Sequence, residues 1–354
     1  MSVLLSPLKL RGVELRNRIF VSPMCQYSCA DGLATDWHLV HLGSRAVGGA
    51  GLVMAEASAV EPAGRISPGD AGLWSEDHAR AWAPAARFVK SQGAVPAIQL
   101  ARAGRKASTA VPWEGGGPLK LGEGAWMAVG PSPLPFDAGY PAPRELTPAE
   151  IGALAARFAR SALLAGEAGF EAVELHFAHG YLVHSFLSPL SNKRGDAYGG
   201  GFDGRVRFAL EIAAAVRRVW PERLPLLARV SATDWAEGGW DLPQTVELAK
   251  RLKAAGVDFV DCSSGGLVPY AKVPAGPGYQ VPFADAVRRE AGIATGAVGL
   301  ITEPAQAEEI VASGKADAVL LAREFLRDPY WPLRAAAALG DAGPWPTQYL
   351  RARR

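Results

Sequence analysis

Two imidazoles and a phenol follow one apolar stretch: after Ala172-Val173-Glu174-Leu175 come His176, His179 and Tyr181. A strand that delivers such groups at its end is placed for hydrogen bonding or proton transfer. Two neutral imidazoles three apart could bind a metal, although no carboxylate or third histidine is obvious nearby. They could equally donate hydrogen bonds to a substrate oxygen. Tyrosine titrates near ~10, so Tyr181 is protonated at neutral pH and can give up a proton in a reaction. His184 has no comparable role and reads as packed. His38 and His41 read as structural members of a helix.

The elements around these residues alternate. Short, mostly continuous apolar runs predict strands at Ile19–Val21, Leu52–Ala57, Val95–Leu100, Ala172–His176, Leu226–Val230, Phe259–Ser263, Ala297–Gly299 and Ala318–Leu321. Such runs suit parallel strands covered on both faces. Amphipathic segments between them predict helices at Trp37–Val47, Asp77–Ser91, Pro148–Ala168, Gly204–Val219, Pro243–Ala255, Pro282–Ala291, Pro304–Ser313 and Pro332–Leu339. Thr147-Pro148-Ala149-Glu150 is a capping box with proline at the first helical position. The glycines after Ala255 and Ser313 suit helix C-caps.

Eight strands alternating with eight helices give an α/β protein, a (β/α)8 TIM barrel, as a single domain over residues 1–354. Leu8–Leu15, with Gly12 at its turn, is expected to form an N-terminal hairpin closing the barrel bottom. Residues Ala103 to Leu146 make a long cover loop after strand 3, rich in glycine and proline.

Barrel active sites lie at the C-terminal ends of the strands. The residues there are Pro23, Met24, Cys25 and Tyr27; Glu56 and Ala57; Gln99; His176, His179 and Tyr181; Arg229; Ser263 and Ser264; Gly299; and Arg323. Loops after strands 7 and 8 commonly hold a phosphate, and Gly299 and Arg323 close those strands. Arginine offers a planar, permanently charged fork for phosphate, and the Ser263–Gly266 run lets backbone approach a ligand closely. No GxGxxG motif opens a helix, so a Rossmann dinucleotide site is not expected. A mononucleotide such as FMN, or pyridoxal phosphate, fits better. Pyridoxal phosphate needs a Schiff-base lysine, and no predicted barrel strand ends in one.

Bulk properties narrow the classes. The 354 residues are 49% hydrophobic with a formal net charge of +2, which suits a globular core and not a nucleic-acid or membrane surface. No signal peptide or membrane-spanning run is read. Cys25, Cys29 and Cys262 make no disulfide framework, and the Cys25/Cys29 spacing alone does not make a zinc site. The expectation is a reduced, cytoplasmic protein with no metal.

NRIFVSPMCQYS (Asn17 to Ser28), TDWHLVH (Thr35 to His41), GRISP (Gly64 to Pro68), HFAHGYL with FLSPLSNKR and DAYGG, RVSATDW (Arg229 to Trp235), DCSSGG (Asp261 to Gly266), AVGLIT (Ala297 to Thr302) and QYLRA (Gln348 to Ala352) stand in order along the chain. By these blocks the sequence resembles the old yellow enzyme family of FMN-dependent ene-reductases, in its bacterial thermophilic-like subclass, over essentially its whole length.

The resemblance implies a tightly bound FMN, with Pro23, Met24, Cys25, Ala57, Gln99 and Arg229 around the ring and Gly299 and Arg323 at the phosphate. It implies that Cys25 tunes the flavin and that His176 and His179 bind the oxygen of an electron-poor alkene, an enone or a nitro compound. Hydride would arrive from flavin N5, Tyr181 would protonate the other carbon, and Tyr27 would orient the substrate. NADPH or NADH would use the same pocket first, in a ping-pong scheme. It further implies a homodimer or homotetramer, the tail from about 340 to 354 at a subunit interface, and Arg351 reaching a neighbouring subunit's site. Arg102 stands where relatives have histidine, Gly204 where asparagine is common, and Arg353 where an aromatic residue is usual. A cofactor-free lyase or aldolase barrel is the rival reading from another enzyme class.

Overall fold

The computed structural model of the chain describes residues 2–353. Eight parallel strands close a barrel in chain order: β1 (Ile19–Val21), β2 (Leu52–Ala59), β3 (Val95–Ala101), β4 (Ala172–Phe177), β5 (Leu226–Ser231), β6 (Phe259–Ser263), β7 (Ala294–Ala297) and β8 (Ala318–Leu321). The seam pairs β8 with β1, Val319 opposite Ile19. Every residue of β2, β3, β4 and β5 is buried, because barrel packing covers one face and helices the other. Phe20 and Phe259 meet across the barrel interior with ring centroids 5.7 Å apart.

The outer helices are α1 (Asp36–Val47), α2 (Glu76–Ser91), α3 (Pro148–Ala168), α4 (Phe202–Val219), α5 (Leu242–Ala254), α6 (Val281–Ala291), α7 (Pro304–Ala312) and α8 (Trp331–Ala338). The capping box of α3 is formed: Thr147 Oγ1 accepts from the Glu150 N–H while the Glu150 carboxylate accepts from the Thr147 N–H. Short helices Leu182–Leu187 and Arg323–Arg327, which periodicity did not predict, follow β4 and β8.

The largest departure from the sequence expectation is β7, which spans Ala294–Ala297, not Ala297–Gly299. Ala-Thr-Gly-Ala carries little intrinsic strand signal; its register is imposed by β6 and β8. Gly296 is required there, since a Cβ would lie 2.2 Å from Leu320 Cδ1. Gly299 instead turns the chain beyond the strand at φ +118°.

Leu8–Leu10 and Val13–Leu15 form the antiparallel hairpin. It meets the N-terminal ends of the strands: Arg11 Nε donates to Asp258 at 2.6 Å, just before β6, and the Gly12 N–H donates to the Arg223 carbonyl. Beside it, Ser2 Oγ and the backbone N–H groups of Val3 and Leu4 all donate to Glu308 on α7. The cover loop folds into single 3-10 turns and a parallel pair, Val129–Gly130 with Arg144–Glu145. Arg194 anchors it by donating to the carbonyls of Pro131 and Leu146.

Candidate active site

Strand register builds the floor of the site. Ala57 pairs with Gln99 and Gln99 with Glu174; His176 pairs with Arg229 and Arg229 with Asp261. A β-bulge between Ala55 and Ala57 sets this alignment and turns Glu56 aside. Glu56 then accepts from the Gln26 N–H at 2.9 Å and meets His38 Nε2 at 3.0 Å. Gln99 donates its Nε2 to Glu174 at 2.8 Å, which leaves its carbonyl oxygen for another donor. Arg229 Nε lies 2.9 Å from Asp261 Oδ2. Two buried carboxyls thus face one guanidinium. Burial raises the pKa of both Glu174 and Asp261, and the Asp261 charge adds to the rise at Glu174.

A strained turn after β4 carries His179 and leads to Tyr181, while His176 stands at the end of the strand itself. His179 sits at φ +60° and Gly180 at +74°. A Cβ on Gly180 would come within 2.2 Å of the Gly266 carbonyl oxygen, so the turn is pressed against the loop after β6. The His184 ring accepts from the Gly180 N–H at 2.8 Å, and its Nε2 lies 2.9 Å from buried Asp234. His184 is therefore the support of the turn. Lys106 lies across the two loops, donating to the carbonyls of His179 (3.0 Å) and Gly266 (3.1 Å).

The turn brings His176, His179 and Tyr181 together. The His176 ring stands 5.2 Å from that of His179 and 5.1 Å from that of Tyr181, edge to face in both cases. His176 Nδ1 accepts from the Ala178 N–H at 3.3 Å, which places the ring proton on Nε2 and leaves that N–H to donate elsewhere. His179 Nε2 lies 2.7 Å from Ser263 Oγ. Burial, then the positive charge of Arg229, holds both imidazoles well below their ordinary pKa. Burial likewise holds the Tyr181 hydroxyl well above its own. At neutral pH the cluster is uncharged: two imidazoles and one phenol that keeps its proton.

Pro23, Met24 and Cys25 follow β1 and are half-buried at the mouth of the barrel. Burial pushes the Cys25 thiol up, with Asp70 and Glu56 adding to the shift, so it is a neutral thiol. Tyr27, at φ +51°, stands edge-on to Trp113 of the cover loop. Asp70 shares a small cavity with Ala57, Ala101 and Tyr181. Its Oδ2 accepts from the Ile66 N–H while Oδ1 has no partner, and burial pushes its carboxyl up to about 8.

At the other end, a cavity of about 190 Å³ is lined by Ser263, Gln280, Gly299, Leu300 and Arg323. Glu324 is committed to Arg327 at 2.6 Å, which leaves Arg323 as the available cation. A Cβ on Gly299 would meet Gln280 Nε2 at 2.7 Å and the Tyr279 ring at 2.9 Å. Gln280 is fixed by the Val298 carbonyl and Ser264 Oγ, so glycine keeps this cradle open.

These residues fit FMN. The phosphate cradle has a cation and a cavity that a side chain at position 299 would fill. The ring end offers the Gln99 carbonyl for a polar ring edge, and buried Glu174 Oε2 and Asp261 Oδ1 have no hydrogen-bond partner among the described residues.

Two groups of predicted residues behave differently. Arg351 lies exposed in the turn Thr347–Ala352, and Arg353 is exposed as well; Arg354 is outside the described residues. Sequence reading missed Asp70, Glu174, Asp261 and Gln280. Asp261 and Glu174 carried one signal, a charge at an inward position of an otherwise apolar strand. Asp70 and Gln280 sit in loops and carried none. Cys29 lies 3.5 Å from His38 Nε2. No group of three or more His, Cys, Asp and Glu placed to hold a metal occurs among the described residues, and none of their helices is long and apolar enough to cross a membrane.

The chain matches the model of the NADH:flavin oxidoreductase / NADH oxidase family over residues 3–341. It is 49% identical to an NADPH dehydrogenase of Geobacillus sp. (strain WCH70) over 99% of this chain and 98% of that protein. It is 48% identical to an NADPH dehydrogenase of Listeria innocua over 99% of each. Among solved structures it superposes on morphinone reductase with a TM-score of 0.81 at 25% identity, covering 97% of this chain and 91% of that one. It superposes on a 2-naphthoyl-CoA reductase with a TM-score of 0.86 at 27% identity; 96% of this chain is covered, and about half (52%) of that longer protein.

Proposed function

The chain belongs to the NADH:flavin oxidoreductase / NADH oxidase family, as an FMN-dependent NADPH oxidoreductase of the old yellow enzyme type, and on that premise we propose that it reduces the C=C bond of activated alkenes. The substrates are enones, with nitroalkenes as a second class. The nicotinamide and the alkene use one pocket in turn, in a ping-pong cycle. Bound FMN supplies hydride transfer between them.

The observation that carries this reading is the uncharged cluster. His176 presents an Nε2–H whose tautomer is fixed by the Ala178 N–H, and Tyr181, edge-on to it, keeps its proton. A carbonyl or nitro oxygen accepting from His176 and His179 gains polarisation as charge builds on it. Preorganised donors in a dry site stabilise such charge without reorganising. Tyr181 then gives its proton to the adjacent carbon. The Arg229 guanidinium stands in the floor of the pocket, paired with Asp261 and beside Glu174, two carboxyls of raised pKa. Gln99, Ala57, Pro23 and Met24 hold the cofactor ring, Gly299 and Arg323 its phosphate, and the neutral Cys25 thiol tunes it. Tyr27 orients the substrate under the cover loop.

The working unit proposed is a single barrel domain in a homodimer or homotetramer, with the tail at the interface and Arg351 of a neighbouring subunit completing the pocket. The exposed, loosely packed turn Thr347–Ala352 supports this. Three free cysteines fit a cytoplasmic setting. The test is anaerobic: NADPH should bleach the flavin absorption of the purified protein and cyclohexenone should restore it. Bleaching without restoration by any activated alkene removes the ene-reductase reading. A colourless protein that FMN does not reconstitute returns the barrel to a lyase.

A further inference from the structure

A second cavity, of about 300 Å³, opens outside the site described above, between the loops after β2 and β3, the cover loop and the first half of α3. None of His176, His179, Tyr181, Cys25 or the phosphate cradle lines it. Its polar end holds three arginines and two glutamates. Arg144 and Glu150 close on each other through two hydrogen bonds, of 3.0 and 2.7 Å, and cancel. Glu61 is shared: Arg102 Nε donates to it at 2.6 Å, and Arg157 pairs with its other oxygen. One carboxylate thus serves two guanidinium groups, which leaves one positive charge in excess.

Arg102 is 4% exposed, and its Nη1 has no hydrogen-bond partner. Burial pulls its pKa down to about 10, so it remains charged at neutral pH. A buried cation with an unused donor is costly unless an anion meets it. The other end of the cavity is apolar, walled by Val129, Leu146 and Leu154, with exposed Met127 on the rim. The volume is at the small end of ligand sites.

We propose that this cavity is a binding site for a small monocarboxylate with a short apolar tail. The carboxylate accepts from Arg102 and Arg157, a geometry to which arginine's planar fork is suited, and the tail lies along Val129, Leu146 and Leu154. Arg102 directly follows β3, which fixes its guanidinium at this wall of the cavity. The backbone connects it to the reactive turn: the Arg102 carbonyl accepts from the Leu182 N–H at 3.0 Å, next to Tyr181.

The experiment titrates hexanoate, acetate and inorganic phosphate into the FMN-loaded enzyme by calorimetry while the flavin absorption is recorded. The expected result is saturable binding of one hexanoate per chain, tighter than acetate or phosphate, with the flavin spectrum unchanged. Arg157, half-exposed, can be replaced without opening the core, and Arg157→Gln should weaken hexanoate about tenfold, the loss of one charge-assisted contact. Met127→Asp, on the rim, should weaken it as well. Three results would overturn the proposal: no binding heat; binding that perturbs the flavin and is unchanged in Arg157→Gln, which places the anion at His176 and His179; or equal affinity for phosphate and hexanoate, which reduces the cavity to an unselective charge.

Discussion

The ammonium of Lys106 donates to the carbonyl oxygen of His179 at 3.0 Å. A residue at the root of the cover loop therefore holds the strained turn that carries His179 and leads to Tyr181. The same ammonium reaches the Gly266 carbonyl and lies over the Tyr181 ring at 5.1 Å. Lys106→Met removes both carbonyl contacts from a half-buried place. It should cost about 2 kcal/mol in a urea melt, the scale of a hydrogen bond to a charged group. It should also lower kcat more than it raises the nicotinamide KM.

Loss of the His176 donor should act on the alkene and not on the cofactor. His176→Ala is expected to lower kcat/KM for cyclohexenone by about 10²–10³, the range for one oxyanion-site donor, with the flavin retained. Tyr181→Phe should leave bleaching by NADPH near normal and slow the reoxidation by enone by about 10²-fold or more. Stopped-flow measurement of the two half-reactions separates these effects.

Position 299 tolerates no side chain. Gly299→Ala would press a Cβ onto Gln280 Nε2 and adopt φ +118°. The expected outcome is a correctly folded but flavin-poor protein, read as the ratio of flavin absorbance to protein after dialysis. Arg323→Met should lose flavin in the same assay and regain it at high added FMN.

Buried histidines set the acid side of the stability curve. His41 is pushed down to about 3, by burial first and then by Arg45 and His38, whereas in the unfolded chain it titrates near ~6.5. The unfolded state then binds the proton that the folded state refuses. Stability from this group is complete above ~6.5 and falls as the pH drops toward 3. His176 and His179 act in the same direction. His41→Leu, far from the reactive groups, should flatten the decline of Tm between pH 6.5 and 4.5 and leave turnover unchanged.

Arg351→Ala tests the shared pocket. If the exposed tail crosses to a neighbouring barrel, the substitution should raise the enone KM severalfold without changing the flavin content, and removal of residues 341–354 should shift the size-exclusion profile to smaller species. Unchanged kinetics in Arg351→Ala would confine each site to one chain.

The barrel was legible because its strands are apolar runs of few residues and its helices carry proline and capping residues at their starts. The end of the fourth strand also brings His176, His179 and Tyr181 together, as their order in the sequence implied. The seventh strand was misplaced because Ala294–Ala297 owes its conformation to its neighbours. Glu174 and Asp261 were passed over because their meaning depends on Arg229, which register alone brings beside them. Likewise the sequence marks Arg102 as a departure from the family pattern without showing what it meets. Only the fold shows that it is buried against a glutamate already shared with Arg157.

The contacts of Ser2, Val3 and Leu4 with Glu308 bear on how the chain is made. These residues find their partner only after some three hundred more have been joined, and the β8–β1 seam lies just beyond. Contacts so distant along the chain are slow to form, and domains are built from the N-terminus as they emerge. The barrel must therefore wait open, its first strand unpaired on one edge, until β8 has been made. A fusion that crowds Ser2 would act on the yield of folded protein before it acted on the chemistry.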